Sequence, residues 1–497
     1  MSAVAIRGRP RLAAARGLLE EALADLGADF DELLFLARSA EAGLAEAARE
    51  LDEAILHEGT RQLLTRELAV ARGRYAAVEE RLVGLREQAA HATASASLVH
   101  RLAAEKASLS DLLRTEQALA AALLGAADWQ SPSFLHSTAP SAGRQGGRIR
   151  AHWNDYKRDR HLDADRYERR YLRALVDGPP GLRALLTSCG MAAFTTVLSY
   201  LQLEGKLDGT ALAGAGLYHE TRLLLERAVP GRLHVVDERD TEALLRAIDE
   251  LEPCAVFLDS LSNTKWMPVP ELPRVLERLA GTKACLVLDN TCLSASCQPF
   301  ALADESVRLI VFESLLKYAQ LGLDRVTAGV IVTRASDAAR LSVYREHLGT
   351  NVADVAVHAL PRPDRGVLER RLGRLQRNAL LLAGRLRVDA PGLVEVVYPE
   401  PPLPFRGGCL SIVCREPDPD LRRERALIER VVTEAARRGV ALLGGSSFGF
   451  DTTRIYLTAE GAERGEPFVR VAAGTEHRIA VETVADALAA AVREVSA

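Results

Sequence analysis

Over the first quarter of the chain, apolar residues recur at every third or fourth position. Leu64, Leu68, Ala71, Tyr75, Val78, Leu82 and Leu85 follow a 4-3-4-3 spacing, which predicts one buried stripe along a helix. No proline lies between Pro10 and Pro132, and the strong helix formers Ala, Leu, Glu and Arg dominate. Residues 11–127 therefore predict three to five helices packed as hairpins or a bundle, with Gly59, Gly73 and Gly84 weakening any long rod. From Ser131 to Gly147 the composition turns to Ser, Pro, Gly and Gln, as in a linker or surface arm. Past residue 180 short β-branched runs take over: Leu233–Val236, Ala255–Leu258, Cys285–Leu288, Leu309–Phe312 and Gly329–Val332. Helical stretches of ten or more residues separate them, which predicts β-α units and a parallel sheet. After about residue 365 a long helix over Leu368–Leu386 leads into shorter strands, the pattern of a smaller α+β domain.

Charge and composition narrow the function classes. The 63 Lys+Arg against 67 Asp+Glu leave a net charge of −4, with no basic face for a dedicated nucleic-acid binder. No apolar run approaches the roughly 20 residues of a membrane span, and Arg7 and Arg9 are followed by no secretory apolar core. The seven cysteines all follow residue 188 and form no C-x-x-C pair, so they read as reduced, mostly buried thiols of a cytoplasmic protein. Cys292/Cys297 and Cys409/Cys414 share a spacing of five but have no histidine partner, and no metal site is expected.

The candidate chemistry sits at predicted strand ends. Leu286-Val287-Leu288 runs out into Asp289, at the carboxyl edge where open α/β sheets place ligands. A second apolar strand, Leu309–Phe312, delivers Lys317 just beyond its end, 28 positions later. A lysine against apolar walls has a lowered pKa and is the usual Schiff-base former. Cys189-Gly190-Met191 heads an apolar helical stretch, where Gly190 permits close backbone approach and free amides make a phosphate cradle. A cradle, an amine and a carboxylate for a ring nitrogen are the three contacts pyridoxal 5′-phosphate (PLP) needs.

With these residues in place the chain, over about residues 152–497, resembles the Cys/Met-metabolism family of PLP enzymes, which includes cystathionine γ-synthase and methionine γ-lyase. Cys189-Gly190-Met191 stands where that family has S-G-M for the phosphate, and Tyr218-His219-Glu220-Thr221 where it has Y-G-G-T, whose tyrosine stacks on the cofactor ring. Ser262-Asn263 matches S-N, whose asparagine meets the ring hydroxyl; Asp289-Asn290-Thr291 matches D-N-T; Ser314-Leu315-Leu316-Lys317 matches S-x-T-K. Arg470, in Arg470–Glu476, matches the arginine that clamps the substrate α-carboxylate, and Ser447-Phe448-Gly449 stands for S-L-G near the same group. Tyr156-Lys157-Arg158 resembles the Y-x-R that reaches the phosphate of a neighbouring subunit. Leu316 for threonine, His219 and Glu220 for small residues, and Thr264-Lys265-Trp266 for the usual proline depart from the family pattern.

The resemblance implies an α/β protein of PLP fold type I, aspartate-aminotransferase-like, with a mainly parallel sheet. Its expected division is an N-terminal all-α helical domain (1–130), a linker and inter-subunit arm (131–180), a large PLP-binding domain (181–365) and a small C-terminal α+β domain (366–497). Lys317, Asp289 and Tyr218 are the implied catalytic residues. Cys189, Gly190, Met191, Asn263, Ser314, Tyr156 and Arg158 join them in binding cofactor, and Arg470 and Ser447 bind substrate. The implied activity is γ-replacement on an amino acid with a γ leaving group, through a vinylglycine-type intermediate. The range includes O-acylhomoserines, S-adenosylmethionine and carbon–carbon bond formation in specialised metabolism. A simple β- or γ-lyase is the alternative. A homodimer or tetramer and a second substrate are the expected partners.

Overall fold

A computed structural model describes residues 8–53, 57–127, 162–262, 264–399, 405–415, 420–458 and 467–496. Three long helices open the chain: α1 (Gly8–Glu53), α2 (Glu58–His91) and α3 (Ala96–Ala127). The predicted 4-3-4-3 stripe is the buried face of α2, and it packs on α1. Gly73 and Gly84 do not break α2; a Cβ at either would meet nothing within 4 Å, so both lie on its open side. A fourth helix, α4 (Leu162–Leu175), buries Tyr167 and Tyr171.

A seven-stranded sheet follows: β1 (Leu182–Thr187), β2 (Ala211–Gly214), β3 (Leu233–Val236), β4 (Ala255–Asp259), β5 (Cys285–Asp289), β6 (Arg308–Ser314) and β7 (Gly329–Arg334), in the order β1-β7-β6-β5-β4-β2-β3. Pairs β2–β3, β2–β4, β4–β5 and β5–β6 are parallel. β7 is antiparallel to both its neighbours, so the expectation of a β-α unit at Gly329–Val332 is corrected. A buried strand has the same apolar pattern in either direction, and only the short connection from β6 distinguishes them. The central strands are buried on both faces. Helix α5 (Gly190–Leu203) covers one, where Phe194 packs against Phe257 and Phe312 with ring centroids 6.5 and 5.7 Å apart.

The long helix expected over Leu368–Leu386 runs from Arg365 to Asp389. It leads into a five-stranded sheet of β8 (Val394–Val397), β9 (Cys409–Cys414), β10 (Leu443–Gly444), β11 (Arg454–Thr458) and β12 (Phe468–Ala472), closed by the helix Arg478–Ser496. One apolar cluster runs from Leu26, Phe30 and Leu68 of the first helices through Leu372 and Leu375 to Leu286 and Leu288 of the large sheet. The helical segment thus shares a core with the sheet. All seven cysteines are free thiols, and only Cys285 is fully buried; the other six are half-buried rather than mostly buried as expected. Among the described residues no helix is long and apolar enough to cross a membrane.

Candidate active site

β4 and β5 end in the same way, Ala-Val-Phe-Leu-Asp and Cys-Leu-Val-Leu-Asp, with Asp259 and Asp289 as in-register partners. Neighbouring strands in register project such side chains from the same face, so two carboxyl groups converge at the carboxyl edge. The Thr291 amide donates to Asp289 Oδ1 at 2.9 Å and the Tyr218 amide to Asp259 Oδ2 at 3.0 Å. Burial raises the pKa of Asp289, partly offset by the Thr291 hydrogen bonds and the Lys317 charge. Asp259 is pushed well above the usual carboxylate range by burial and by the Asp289 and Glu238 charges, and its Oδ1 is buried without a hydrogen-bond partner. Asp259 repeats the strand-end pattern of Asp289, and that repeat is the signal in the sequence that identifies it.

Lys317 follows β6, the neighbour of β5. Its Nζ donates to Ser447 Oγ at 2.5 Å and stands 5.2 Å from the Phe448 ring centroid. Burial lowers its pKa against the opposite pull of Cys292, Cys409, Asp324 and Asp289, which favours the neutral, nucleophilic amine. Ser447 holds φ +79°, a strained conformation for a non-glycine residue. Gly449, at φ +90°, lets the loop approach closely: a Cβ there would lie 3.0 Å from the Lys317 carbonyl carbon.

At the head of α5 the Cys189 sulfur caps the helix, accepting from the Ala192 amide at 3.3 Å. Gly190 does permit a close approach, but the neighbour is Ser314, whose Cβ would be 2.7 Å from an added Cβ. The glycine therefore brings β6 and α5 together, with Ser314 beside the first amides of the helix; its own amide donates to Thr291 Oγ1 at 2.9 Å. Met191 is half-buried in the same first turn. Tyr218 is 36% exposed at the start of the helix His219–Ala228, and its backbone is tied to Asp259. Arg470, on β12, is buried, with Nη2 3.4 Å from the Thr264 carbonyl and a further hydrogen bond to Tyr456. Cys292 and Cys409 are close enough to Arg470 and Lys317 to feel both charges, and no motif in the sequence marks either for the site. Tyr156, Arg158 and Asn263 lie outside the described residues.

Behind Asp289, Glu313 is buried on β6, accepting from Ser294 Oγ at 2.7 Å and the Tyr171 hydroxyl at 2.8 Å. Burial raises its pKa from 4.5 to about 7. A carboxyl group raised on folding favours the native state while protonated, and that advantage is lost as pH rises from the unfolded value through the folded one. Stability should therefore fall between pH 5 and pH 8, by roughly 3 kcal/mol for such a shift. In Glu313→Gln, thermal unfolding at the two pH values should show that decline reduced; an unchanged decline would reject the assignment.

Comparison with known proteins gives three results. A family model described as Cys/Met metabolism PLP-dependent enzyme matches residues 124–403. The bifunctional enzyme flvA of Aspergillus flavus is 27% identical over 326 residues, covering 63% of this chain and 39% of its own length, so the chain spans well under half of that relative. Among solved structures, cystathionine gamma synthase from Xanthomonas oryzae pv. oryzae, in complex with cystathionine, matches with TM-score 0.57 and 21% identity over 70% of this chain and 90% of that one. A methionine gamma lyase from Micromonospora echinospora matches with TM-score 0.53 and 24% identity, covering 67% and 87% of the two chains. These likenesses show the aspartate-aminotransferase-like fold type I, with the helical segment α1–α3 preceding it.

Proposed function

Because the chain belongs to the Cys/Met metabolism family of PLP-dependent enzymes, we propose that Lys317 carries its pyridoxal phosphate and that it replaces a leaving group at Cγ of an amino acid. One observation carries the reading: a half-buried amine of lowered pKa beyond β6, within electrostatic reach of the half-buried carboxyl group ending β5. The donors fit the cofactor: an amine for its aldehyde, a carboxylate for its ring nitrogen and a helix N-terminus beside Ser314 for its phosphate. When bound, the cofactor supplies an electron sink for charge developing at Cα.

The chain's residues then have distinct tasks. Asp289 holds a proton on the ring nitrogen. Lys317 Nζ, oriented by Ser447 Oγ, takes the Cα proton and delivers it further along the substrate. Arg470 binds the α-carboxylate in a bidentate clamp, fixing which Cα bond is broken. Tyr218, whose backbone Asp259 anchors, would stack on the cofactor ring. Cys189, Gly190, Met191 and Ser314 would hold the phosphate, and Asn263 would serve the ring hydroxyl. On the family resemblance, Tyr156 and Arg158 of the segment 131–180 would serve a neighbouring subunit's phosphate, which would make the working unit a homodimer or tetramer. Around that arm we divide the chain into a helical domain (1–130), a cofactor domain (181–365) and a small domain (366–497).

The departures at His219, Glu220 and Thr264–Trp266 favour a donor other than the ordinary ones and a role in specialised metabolism. O-Acylhomoserines and S-adenosylmethionine are the donors to test, with sulfur and carbon nucleophiles as acceptors. Leaving-group release without matching 2-oxobutyrate is the expected result. Equal amounts of 2-oxobutyrate or pyruvate would give the lyase reading, and no turnover of any donor, cystathionine included, would overturn both. In Arg470→Ala the substrate Kd should rise on the order of tenfold or more, the loss of a charged hydrogen-bonded contact. The cofactor band should be retained, and unchanged affinity would reject the clamp.

A further inference from the structure

The helical segment reaches the site through a chain of buried and half-buried charges. Asp25, Asp29 and Glu32 lie on one face of α1, among Leu26, Phe30 and Leu33. They meet Arg377, Arg374 and Arg371 of the helix Arg365–Asp389 in antiparallel order, at 2.6, 2.8 and 2.5 Å. Burying such charges is favourable only when every partner is present. The zipper continues into the site. Arg371, whose side chain is fully buried, also donates to the Gly449 carbonyl at 2.9 Å and to Asp451 Oδ1 at 2.8 Å. Lys106 of α3 reaches Asp451 Oδ2 at 2.8 Å. Four acidic groups (Asp25, Asp29, Glu32, Asp451) thus face four basic ones (Lys106, Arg371, Arg374, Arg377), with burial pushing Glu32 up to about 7 against the pull of Arg371, and Arg371 and Lys106 hold the loop that presents Ser447 to Lys317. Arg374 extends the same contact to the Thr475 carbonyl, just beyond Arg470 in the chain.

We propose that Glu32 and Lys106 are positioning residues for the amine of Lys317: through Arg371 and Asp451 they fix the Ser447–Asp451 loop against it. The inference rests on Lys317 as the cofactor-bearing amine. The strained φ at Ser447 is consistent with this role, because a loop in that conformation must be held by its surroundings. The helical segment is then part of the active site's frame.

The test uses the full chain with Glu32→Gln, Lys106→Met and, as a control, Glu79→Gln, which breaks an exposed α1–α2 contact with Arg38 outside the network. Amide hydrogen exchange without cofactor should be on the order of tenfold faster at 447–451 in the first two variants, and unchanged in the control. In the cofactor-loaded protein the pH midpoint of the visible band should move by roughly half a unit or more in those two variants alone. Loop exchange and midpoint equal to wild type, or the same changes in the control, would overturn the proposal. If Glu32→Gln does not fold, Glu32→Asp, which keeps the charge but shortens the reach, carries the same comparison. A wild-type chain that takes up no cofactor would defeat the proposed function instead, while the exchange measurement would still decide whether the network holds the loop.

Discussion

Asp289→Asn should reduce turnover on the order of a thousandfold, about 4 kcal/mol of transition-state stabilisation, while the protein still folds and still takes up cofactor. The fold should survive because the asparagine oxygen can accept the Thr291 amide as Asp289 does. Removing the charge also relieves repulsion with Asp259, its in-register neighbour, so the unfolding temperature should hold or rise. Catalysis should fail because an amide cannot hold a proton on the ring nitrogen through charge, and the sink for the Cα electrons is lost with it. Steady-state kinetics beside thermal unfolding separates the two effects. Near-normal turnover in a folded Asp289→Asn would remove that carboxylate from the mechanism.

Lys317→Ala should have the larger effect, a loss on the order of 10⁴-fold or more, because in the proposed function one side chain both bonds the cofactor and moves the proton. The visible band should disappear, and a small added amine such as methylamine should restore part of the rate. The fold should be little disturbed, since the substitution removes a half-buried amine whose charge burial already disfavours, and the hydrogen bond to Ser447 Oγ is the single side-chain bond lost with it. Activity retained without added amine would exclude Lys317 as the proton carrier.

Much of this was readable from the chain. The stripe from Leu64 to Leu85, the central strands and the placing of Asp289 and Lys317 at their ends are local patterns, and each fixes its own element. The direction of β7 is not a local property, because pairing on both sides is satisfied by the same apolar run. Nor was the acidic stripe of Asp25, Asp29 and Glu32, since acids at helical spacing ordinarily face water. What buries them is a matching arginine stripe some 345 residues away along the chain. The Gly190 reading found the right residue with a different neighbour, because sequence shows that space is needed and not what fills it.

The central claim is the identity of the amine that bonds the cofactor, and borohydride trapping tests it most directly. Wild-type protein loaded with pyridoxal phosphate, reduced, digested and mapped by mass spectrometry should carry the pyridoxyl mass on the peptide containing Lys317 and on no other. The label on a different lysine, or no stable label in protein that shows the visible band, would contradict the account.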